Sequence, residues 1–217
     1  NPVRAYVSGL SLTALIQSSS VMSLMSVSFV QVGLLRLSEA YFVLLGANVG
    51  TTVTGWLVAL TISKPSVGSL ALPILACSLP LLFAQRRRTR SVGAAILGFS
   101  LMFVGLGLLK SGIPPITEAG MAQFLSQLSE DSFLSSLGMV AIGMAGTLAL
   151  QSSSAMMALV FTLAAGGVVS EWDGAAMVLG ANIGTTSTVI LASIVAGREA
   201  RRAELSHFLI NVFGVLL

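Results

Sequence analysis

QSSS, at residues 17–20, and GANVGTT, at residues 46–52, each occur twice in this chain of 217 residues. The second copies are QSSS at residues 151–154 and GANIGTT at residues 180–186, so both motifs align at the same separation without a gap. The aligned identities are mostly polar residues or glycine, which a shared apolar composition would not produce by chance. The chain therefore contains an internal repeat, and this repeat organises the fold.

The composition places the chain in a lipid bilayer. Only 9% of its residues are charged and 55% are hydrophobic, with a mean hydropathy of +0.94, whereas about a quarter of a soluble domain is charged. No Asp, Glu, Lys or Arg lies within residues 5–35, 40–63, 132–170 or 174–197. Uninterrupted stretches of this length are typical of membrane segments. A soluble protein is thereby excluded, and a nucleic-acid partner is not expected.

Segment lengths predict how the chain crosses the membrane. A spanning helix needs about 20 residues, and residues 41–63, 65–84, 91–109 and 174–197 each fit one crossing. The uncharged segment 132–170 is too long for one helix and tight for two, with its most polar stretch at the centre. We therefore expect each QSSS to lie at the tip of a re-entrant helical hairpin that enters and leaves on the same side.

Two arginine clusters support the hairpin. Basic residues favour cytoplasmic loops, and the clusters lie at residues 86–90 and 198–202. Two spans and one hairpin between them place both clusters inside, whereas a third crossing would separate them. Corresponding points of the repeats then fall on opposite faces of the membrane, which is typical of transporters.

The predicted fold is thus an all-α membrane protein with two inverted-topology repeats, each with a re-entrant helical hairpin and broken transmembrane helices. The first repeat covers residues 1–84 and the second covers residues 91–217, and together they form a single transport unit. We expect the opening helix of the first repeat to precede residue 1.

The QSSS motifs are candidate ligand-binding segments. Polar groups are tolerated at membrane depth where they line a cavity or are buried in protein. One amide and three hydroxyls can donate hydrogen bonds to an oxyanion, and a helix N-terminus just after the turn adds backbone N–H groups. The candidate residues are Gln17, Ser18, Ser19, Ser20, Gln151, Ser152, Ser153 and Ser154. Hydrogen bonding between helices is the alternative for a single QSSS, but two copies in register favour a binding site.

The GAN[VI]GTT motifs are candidate Na⁺ sites. Their glycines permit an unwound stretch of helix, and their amides and hydroxyls supply neutral oxygens without an acidic residue nearby in sequence. The candidate Na⁺ ligands are Gln17, Asn48, Thr51, Thr52, Gln151, Asn182, Thr185 and Thr186. The single histidine, His207, stands alone in the sequence, and a proton relay is the less favoured interpretation of it.

The paired QSSS and GAN[IV]GTT motifs, with the opening Asn1-Pro2, resemble the type II sodium-dependent phosphate cotransporter family and its bacterial members. The resemblance covers nearly the whole chain. It implies Na⁺-driven symport of inorganic phosphate by alternating access, with phosphate at the QSSS motifs and Na⁺ at the QSSS amides and GAN[IV]GTT motifs. It also implies no cofactor besides the coupling ion Na⁺, a bacterial inner-membrane location, and compatibility with a homodimer. The family's basic and His/Asn stretch is present at residues 198–211 but missing from residues 64–77.

Two other classes of function remain as alternatives. A phosphate exporter or phosphate-sensing membrane protein that is not driven by sodium would keep the same binding residues. An enzyme such as a membrane hydrolase is disfavoured, because the predicted membrane segments offer no acidic or basic residue that could activate a serine. The single cysteine and the lack of a Cys/His cluster in the sequence give no support to metal or redox chemistry.

The charge pattern makes a topology prediction. In a Cys77→Ser background, single cysteines at Arg88 and Arg201 should be protected from an impermeant external thiol reagent in intact cells, and cysteines at Lys64 and Lys110 should react. Labelling of Arg88 and Arg201 from opposite sides would show that the second QSSS segment crosses the membrane, and the inverted repeat would then be wrong.

Overall fold

The computed structural model describes residues 1–63, 65–118, 120, 123, 132–194 and 197–216, and within them the regular structure is entirely helical, as predicted. Helices of the first half recur in the same order in the second. The helices are α1 (Pro2–Ile16), α2 (Ser19–Gln31), α3 (Leu37–Ser63), α4 (Pro65–Leu82), α5 (Arg87–Glu118), α6 (Phe133–Leu150), α7 (Ser153–Ala165), α8 (Glu171–Ser193) and α9 (Arg198–Leu216).

The first QSSS separates α1 from α2. Gln17 ends α1 in the left-handed conformation, with φ 58°, and its N–H donates to the Thr13 carbonyl at 2.7 Å. A right-handed helix cannot continue through a residue in this conformation, so α1 ends here. The conformation costs a non-glycine residue about 1–2 kcal/mol. Ser18 is extended, and its hydroxyl accepts from the Val21 N–H at 3.3 Å as the N-cap of α2.

The second QSSS separates α6 from α7 in the same way. Gln151 has φ 53°, and the Ser152 hydroxyl accepts from the Ala155 N–H at 3.2 Å. Among the described residues other than glycine, Gln17 and Gln151 are the two with positive φ. Each QSSS therefore starts a new helix at its second serine.

The predicted break in the helices that carry GAN[VI]GTT is wrong. α3 and α8 run as continuous helices through residues 46–52 and 180–186. The glycines are used for close helix packing instead of unwinding. A Cβ at Gly46 would overlap the Tyr6 carbonyl oxygen of α1, and a Cβ at Gly180 would overlap the Val140 carbonyl oxygen of α6. Glycine allows the two backbones to touch at these points.

A second glycine, on the partner helix, makes a similar backbone contact in each pair. A Cβ at Gly9 in α1 would overlap the Val43 carbonyl oxygen of α3, and a Cβ at Gly143 in α6 would overlap the Met177 carbonyl oxygen of α8. Each pair of helices therefore uses one glycine on each partner. α1 packs along α3, and α6 packs along α8, as matching pairs in the two halves.

Other helices join the two halves. α4 packs against α5, while α9 packs against α8 and also contacts α2 and α3. α7 contacts α3 and α5 as well as α8. The second QSSS is thereby placed against helices of the first half.

Two described helical segments are long and apolar enough to cross a membrane, Leu37–Leu60 and Phe133–Leu150. The first agrees with the predicted crossing at residues 41–63, and the second is one arm of the predicted hairpin. The all-helical architecture is consistent with a membrane protein. The inverted order of the repeats and the re-entrant course of the hairpins stay predictions.

The close packing at the glycines predicts an effect on stability. Gly46→Ala and Gly180→Ala should each destabilise the protein by about 1–3 kcal/mol, because the added methyl group meets a backbone oxygen that cannot move alone. The matched control is Gly98→Ala in α5, where a Cβ would meet open space. Thermal unfolding in detergent is the measurement. Equal stability of all three variants would contradict the backbone contact.

Candidate functional site

The first QSSS is held to α3 by its glutamine. The Thr54 hydroxyl of α3 donates to Gln17 Oε1 through a short hydrogen bond. The Gln17 amide nitrogen donates to the Ala14 carbonyl at 2.5 Å. Both ends of the side chain are therefore fixed beside the N-terminus of α2. Ser19, the first residue of that helix, is buried, and Ser18 and Ser20 are half-buried.

The second QSSS is held less tightly. The Gln151 amide nitrogen donates to the Leu148 carbonyl at 2.6 Å, as in the first copy, but the side chain is exposed. The residue equivalent to Thr54 is Thr188, whose hydroxyl donates to the Thr185 carbonyl of its own helix at 2.7 Å. Ser153 is buried, and Ser152 and Ser154 are half-buried. The two copies thus have the same backbone conformation but differ in how the glutamine side chain is anchored.

One cavity is lined by a serine of the second QSSS and by the threonine that binds the first QSSS. It has a volume of about 380 Å³ and lies between α3, α5 and α7. Ser154 of the second QSSS and Thr54, the hydrogen-bond partner of Gln17, both line it. The remaining lining is largely apolar, with Val58 and Leu101 among its members. A small ligand in this cavity would reach groups tied to both halves.

The hydroxyls of the GAN[VI]GTT motifs mostly donate within their own helices. Thr51 and Thr185 donate to the carbonyl oxygens four residues earlier, at 3.1 and 3.0 Å, and both are buried. Thr52 is exposed, whereas its counterpart Thr186 is buried. Because each hydroxyl donates its proton to a carbonyl, its oxygen keeps lone pairs for a cation. Thr52 lines a separate cavity of about 280 Å³ with Trp56, away from Ser154.

The two asparagines are linked through α9. Asn211 accepts from the Asn48 amide nitrogen at 2.6 Å, and its own amide nitrogen donates to the Asn182 carbonyl at 3.4 Å. His207 Nε2 lies 2.9 Å from Asn48 Oδ1. A chain of hydrogen bonds therefore joins the GANVGTT and GANIGTT motifs across the two halves.

The chain of hydrogen bonds continues from His207 to Ser23, and the acidic residue Glu204 lies beside the histidine. His207 Nδ1 lies 3.1 Å from the Ser23 hydroxyl of α2 and 3.9 Å from Glu204 Oε2. Glu204 and His207 are 0% and 1% exposed. Glu204, which is distant from GANVGTT in the sequence, is brought by α9 beside the histidine that contacts Asn48.

Sequence reasoning missed four residues of this network, Ser23, Glu204, His207 and Asn211. Only one signal pointed to them, which was the His/Asn stretch that is present in the second half alone. Thr54 was missed as a partner of Gln17, although its alignment with Thr188 marked it as part of the repeat. Pairing between α9 and α3 is a long-range contact that no local pattern encodes.

Comparison with known protein families identifies the family of this chain. The model of the Na⁺/Pi-cotransporter family matches the chain twice, at residues 1–111 and 107–217. The chain belongs to the Na⁺/Pi-cotransporter family. Membership in this transporter family implies a membrane protein and confirms the resemblance inferred from the paired motifs. The two matches also assign one copy of the family model to each half.

Individual relatives agree with this family. The chain is 31% identical over 98% of its length to YjbB of Salmonella typhimurium (strain LT2), provisionally named as an inorganic phosphate export protein, and spans 38% of that protein. It is 26% identical over its whole length to the uncharacterized protein YqeW of Bacillus subtilis (strain 168), and covers 68% of it. Over 60 residues, 28% of the chain, it is 47% identical to sodium-dependent phosphate transport protein 2A of Rattus norvegicus and covers 9% of that protein. No solved structure matches the chain.

The Ser23, His207 and Glu204 grouping differs from a catalytic triad. In a triad the serine and the acid bind opposite ring nitrogens of the histidine. Here both face Nδ1, while Nε2 faces Asn48. This grouping therefore does not have the geometry of a catalytic triad.

The anchoring of Gln17 can be tested by a matched pair of substitutions. Thr54→Val keeps the shape but removes the donor to Gln17 Oε1, and should destabilise the protein by about 1–3 kcal/mol because an acceptor loses its partner. Thr188→Val removes a hydroxyl that bonds its own helix, and should cost less than about 1 kcal/mol. Thermal unfolding in detergent compares them. A larger effect at Thr188 would refute the asymmetric anchoring.

Proposed function

We propose that this protein carries out sodium-coupled symport of inorganic phosphate by alternating access. The observation that carries the proposal is a helix that begins directly behind a left-handed glutamine in both halves, at Ser19 and at Ser153. Helix N-termini present unpaired N–H groups and the positive end of the helix dipole. Such a helix end suits an anion, and the start of α7 lines the cavity of about 380 Å³ through Ser154.

In this proposal the QSSS motifs bind phosphate with neutral donors. The first-turn N–H groups of α2 and α7 have no carbonyl partner four residues earlier. The serine hydroxyls add donors, since Ser18 and Ser152 accept at the caps through lone pairs and keep their protons. The phosphate ligands are Gln17, Ser18, Ser19, Ser20, Gln151, Ser152, Ser153 and Ser154.

Sodium binds beside the phosphate through neutral oxygens. The hydroxyl oxygens of the threonines and the amide oxygens of the asparagines and glutamines are ligands that a hard cation accepts. A cation next to the phosphate offsets the cost of bringing an anion into a low-dielectric site. The proposed ligands are Gln17, Asn48, Thr51, Thr52, Gln151, Asn182, Thr185 and Thr186.

The two halves supply the alternation. In the proposed arrangement, residues 1–84 and 91–217 are inverted repeats with re-entrant hairpins, and the site lies between them. Exchange of the conformations of two equivalent halves would open the site first to one side of the membrane and then to the other. The protein acts in the bacterial inner membrane, as a monomer or a homodimer, without enzymatic chemistry.

Phosphate export without sodium coupling is the second candidate. It is favoured by the name of YjbB, the relative that is 31% identical to this chain. The chain spans about two fifths of the length of that relative. The same phosphate site would serve export if the driving force were the phosphate gradient itself.

Transport into proteoliposomes separates these functions. Uptake of labelled phosphate should be accelerated by an inwardly directed Na⁺ gradient and should fall to the background rate when K⁺ replaces Na⁺. Phosphate movement that follows only the phosphate gradient, whichever cation is present, would favour phosphate export without sodium coupling and would overturn symport. Empty liposomes are the control.

The shared phosphate site makes a prediction about both halves. Ser19→Ala and Ser153→Ala should each weaken phosphate binding about ten- to a hundredfold, because a hydrogen bond to a charged ligand is worth about 1.5–3 kcal/mol. Thr52→Ala and Thr186→Ala should chiefly raise the Na⁺ concentration needed for uptake. The matched control is Ser28→Ala, an exposed serine of α2 whose hydroxyl donates to the Leu24 carbonyl. Equilibrium binding and uptake are the measurements, and a loss of affinity at one tip alone would overturn the shared site.

A further inference from the structure

A cavity of about 600 Å³ lies between the first turns of α3 and α9. Ser38 and Tyr41 line it and are exposed, so the cavity opens to the surface of the protein. None of the proposed phosphate or Na⁺ ligands is among its described lining residues. These lining residues are Leu37, Ser38, Tyr41 and Phe42 of α3 and Ala203 and Ser206 of α9.

The wall of the cavity is mostly apolar. Leu37, Phe42 and Ala203 have side chains without a polar atom, and the ring of Tyr41 packs edge to face on Phe42, with the ring centroids 5.6 Å apart. The α3 part of the wall is the start of Leu37–Leu60, which is long and apolar enough to cross a membrane. Tyrosine is enriched where such a segment meets the membrane–water interface. The wall therefore suits an acyl chain close to the level of the lipid headgroups.

Exposed arginines lie on the N-terminal side of the cavity in both helices. Arg36 directly precedes Leu37, and Arg202 lies one turn before Ser206, whose hydroxyl donates to the Arg202 carbonyl at 2.7 Å. Side chains of a helix lean toward its N-terminus, so the Arg202 guanidinium lies beyond the lining residues, toward the start of α9. The N-termini of α3 and α9 add positive partial charge at the same end. An anionic headgroup would therefore meet positive charge next to the apolar wall.

The acidic residues of these two helix starts do not balance the arginines. Glu204 is buried beside His207. The other two are Glu39, whose Oε2 accepts from the Arg36 N–H at 3.3 Å, and Glu199. The arginines outnumber them and are all exposed, at Arg36, Arg198, Arg201 and Arg202. The charge around the cavity is therefore complementary to an anion.

We propose that this cavity binds an anionic phospholipid of the membrane, with an acyl chain against Leu37 and Phe42 and the headgroup phosphate at Arg36 and Arg202. A guanidinium binds phosphate through two parallel hydrogen bonds. The charge pattern predicts a cytoplasmic location for residues 198–202, and basic residues next to that face of a membrane attract anionic lipids. The bound lipid joins α3 to α9, the helix whose Asn211 links the two halves. The inference does not depend on sodium coupling.

Lipid binding to the purified full-length protein in detergent tests the headgroup contact. Native mass spectrometry measures binding of palmitoyl-oleoyl phosphatidylglycerol and of phosphatidylcholine with the same chains. The wild type should bind one phosphatidylglycerol about tenfold or more tightly than phosphatidylcholine, because hydrogen bonds to a charged group are strong. Arg202→Gln should remove this preference. Arg88→Gln, the same change at an exposed arginine of α5, should keep it.

A second pair of variants tests the apolar wall. Ser206→Phe fills the cavity and leaves every arginine in place, so it should reduce phosphatidylglycerol binding about tenfold or more. The matched control is Ser28→Phe, because Ser28 is an exposed serine of α2 whose hydroxyl also donates to the carbonyl four residues earlier. If Ser206→Phe does not fold, Ser38→Phe fills the cavity from its exposed side and should have the same effect.

The other outcomes would overturn the lipid site. Equal binding of the two lipids by the wild type would remove the anionic headgroup. A preference that survives Arg202→Gln, or a folded variant that fills the cavity, would place the lipid elsewhere. Displacement of phosphatidylglycerol by millimolar inorganic phosphate would indicate a site for the free anion. Conversion of a dimer to a monomer by Ser206→Phe, without a lipid preference in the wild type, would show that a second copy of the chain covers the cavity.

Discussion

Backbone contact between α1 and α3, repeated between α6 and α8, is the constraint on which the rest of the structure depends. It exists because glycines occupy both sides of each contact, at Gly9 and Gly46 in the first pair and Gly143 and Gly180 in the second. Helices this close hold the end of α1 against α3, so the side chain of Gln17 reaches Thr54. The position of each QSSS is therefore set by residues that bind nothing themselves.

The hydrogen bonding of buried polar groups is the second constraint on the structure. A bilayer offers no water to an unpaired amide or hydroxyl, so each must find a partner inside the protein. The Thr51 and Thr185 hydroxyls donate within their own helices, while the Asn48 side chain and the Asn182 backbone carbonyl are both hydrogen-bonded to Asn211 from α9. α9 is thereby tied to both halves through polar atoms, and not only through apolar packing. A substrate that breaks one of these hydrogen bonds must supply an equivalent hydrogen bond to the buried group.

Much of this architecture could be predicted from the sequence, and the features that could not be predicted have a common cause. The repeat, the helical class and the turns at QSSS follow from residues close together in the chain, where spacing and side-chain chemistry are visible. The helix break predicted at GAN[VI]GTT failed because glycine permits both unwinding and close packing, and only the presence of α1 against Gly46 decides between them. Contacts of Glu204 and His207 depend on where α9 lies, which the chain order does not encode.

The unequal anchoring of the two glutamines has a consequence for the proposed transport cycle. Gln17 and Gln151 have nearly the same backbone, yet only the first is fastened to the helix that carries its GAN[VI]GTT motif through the hydroxyl at Thr54. The two equivalent segments are therefore anchored differently, although their motifs are repeated in the sequence. Under the proposed alternating access, exchange of the two arrangements would give a second state, in which Thr188 binds Gln151 and Thr54 bonds within its own helix. The repeat would in this way encode two conformations that differ in which glutamine is anchored.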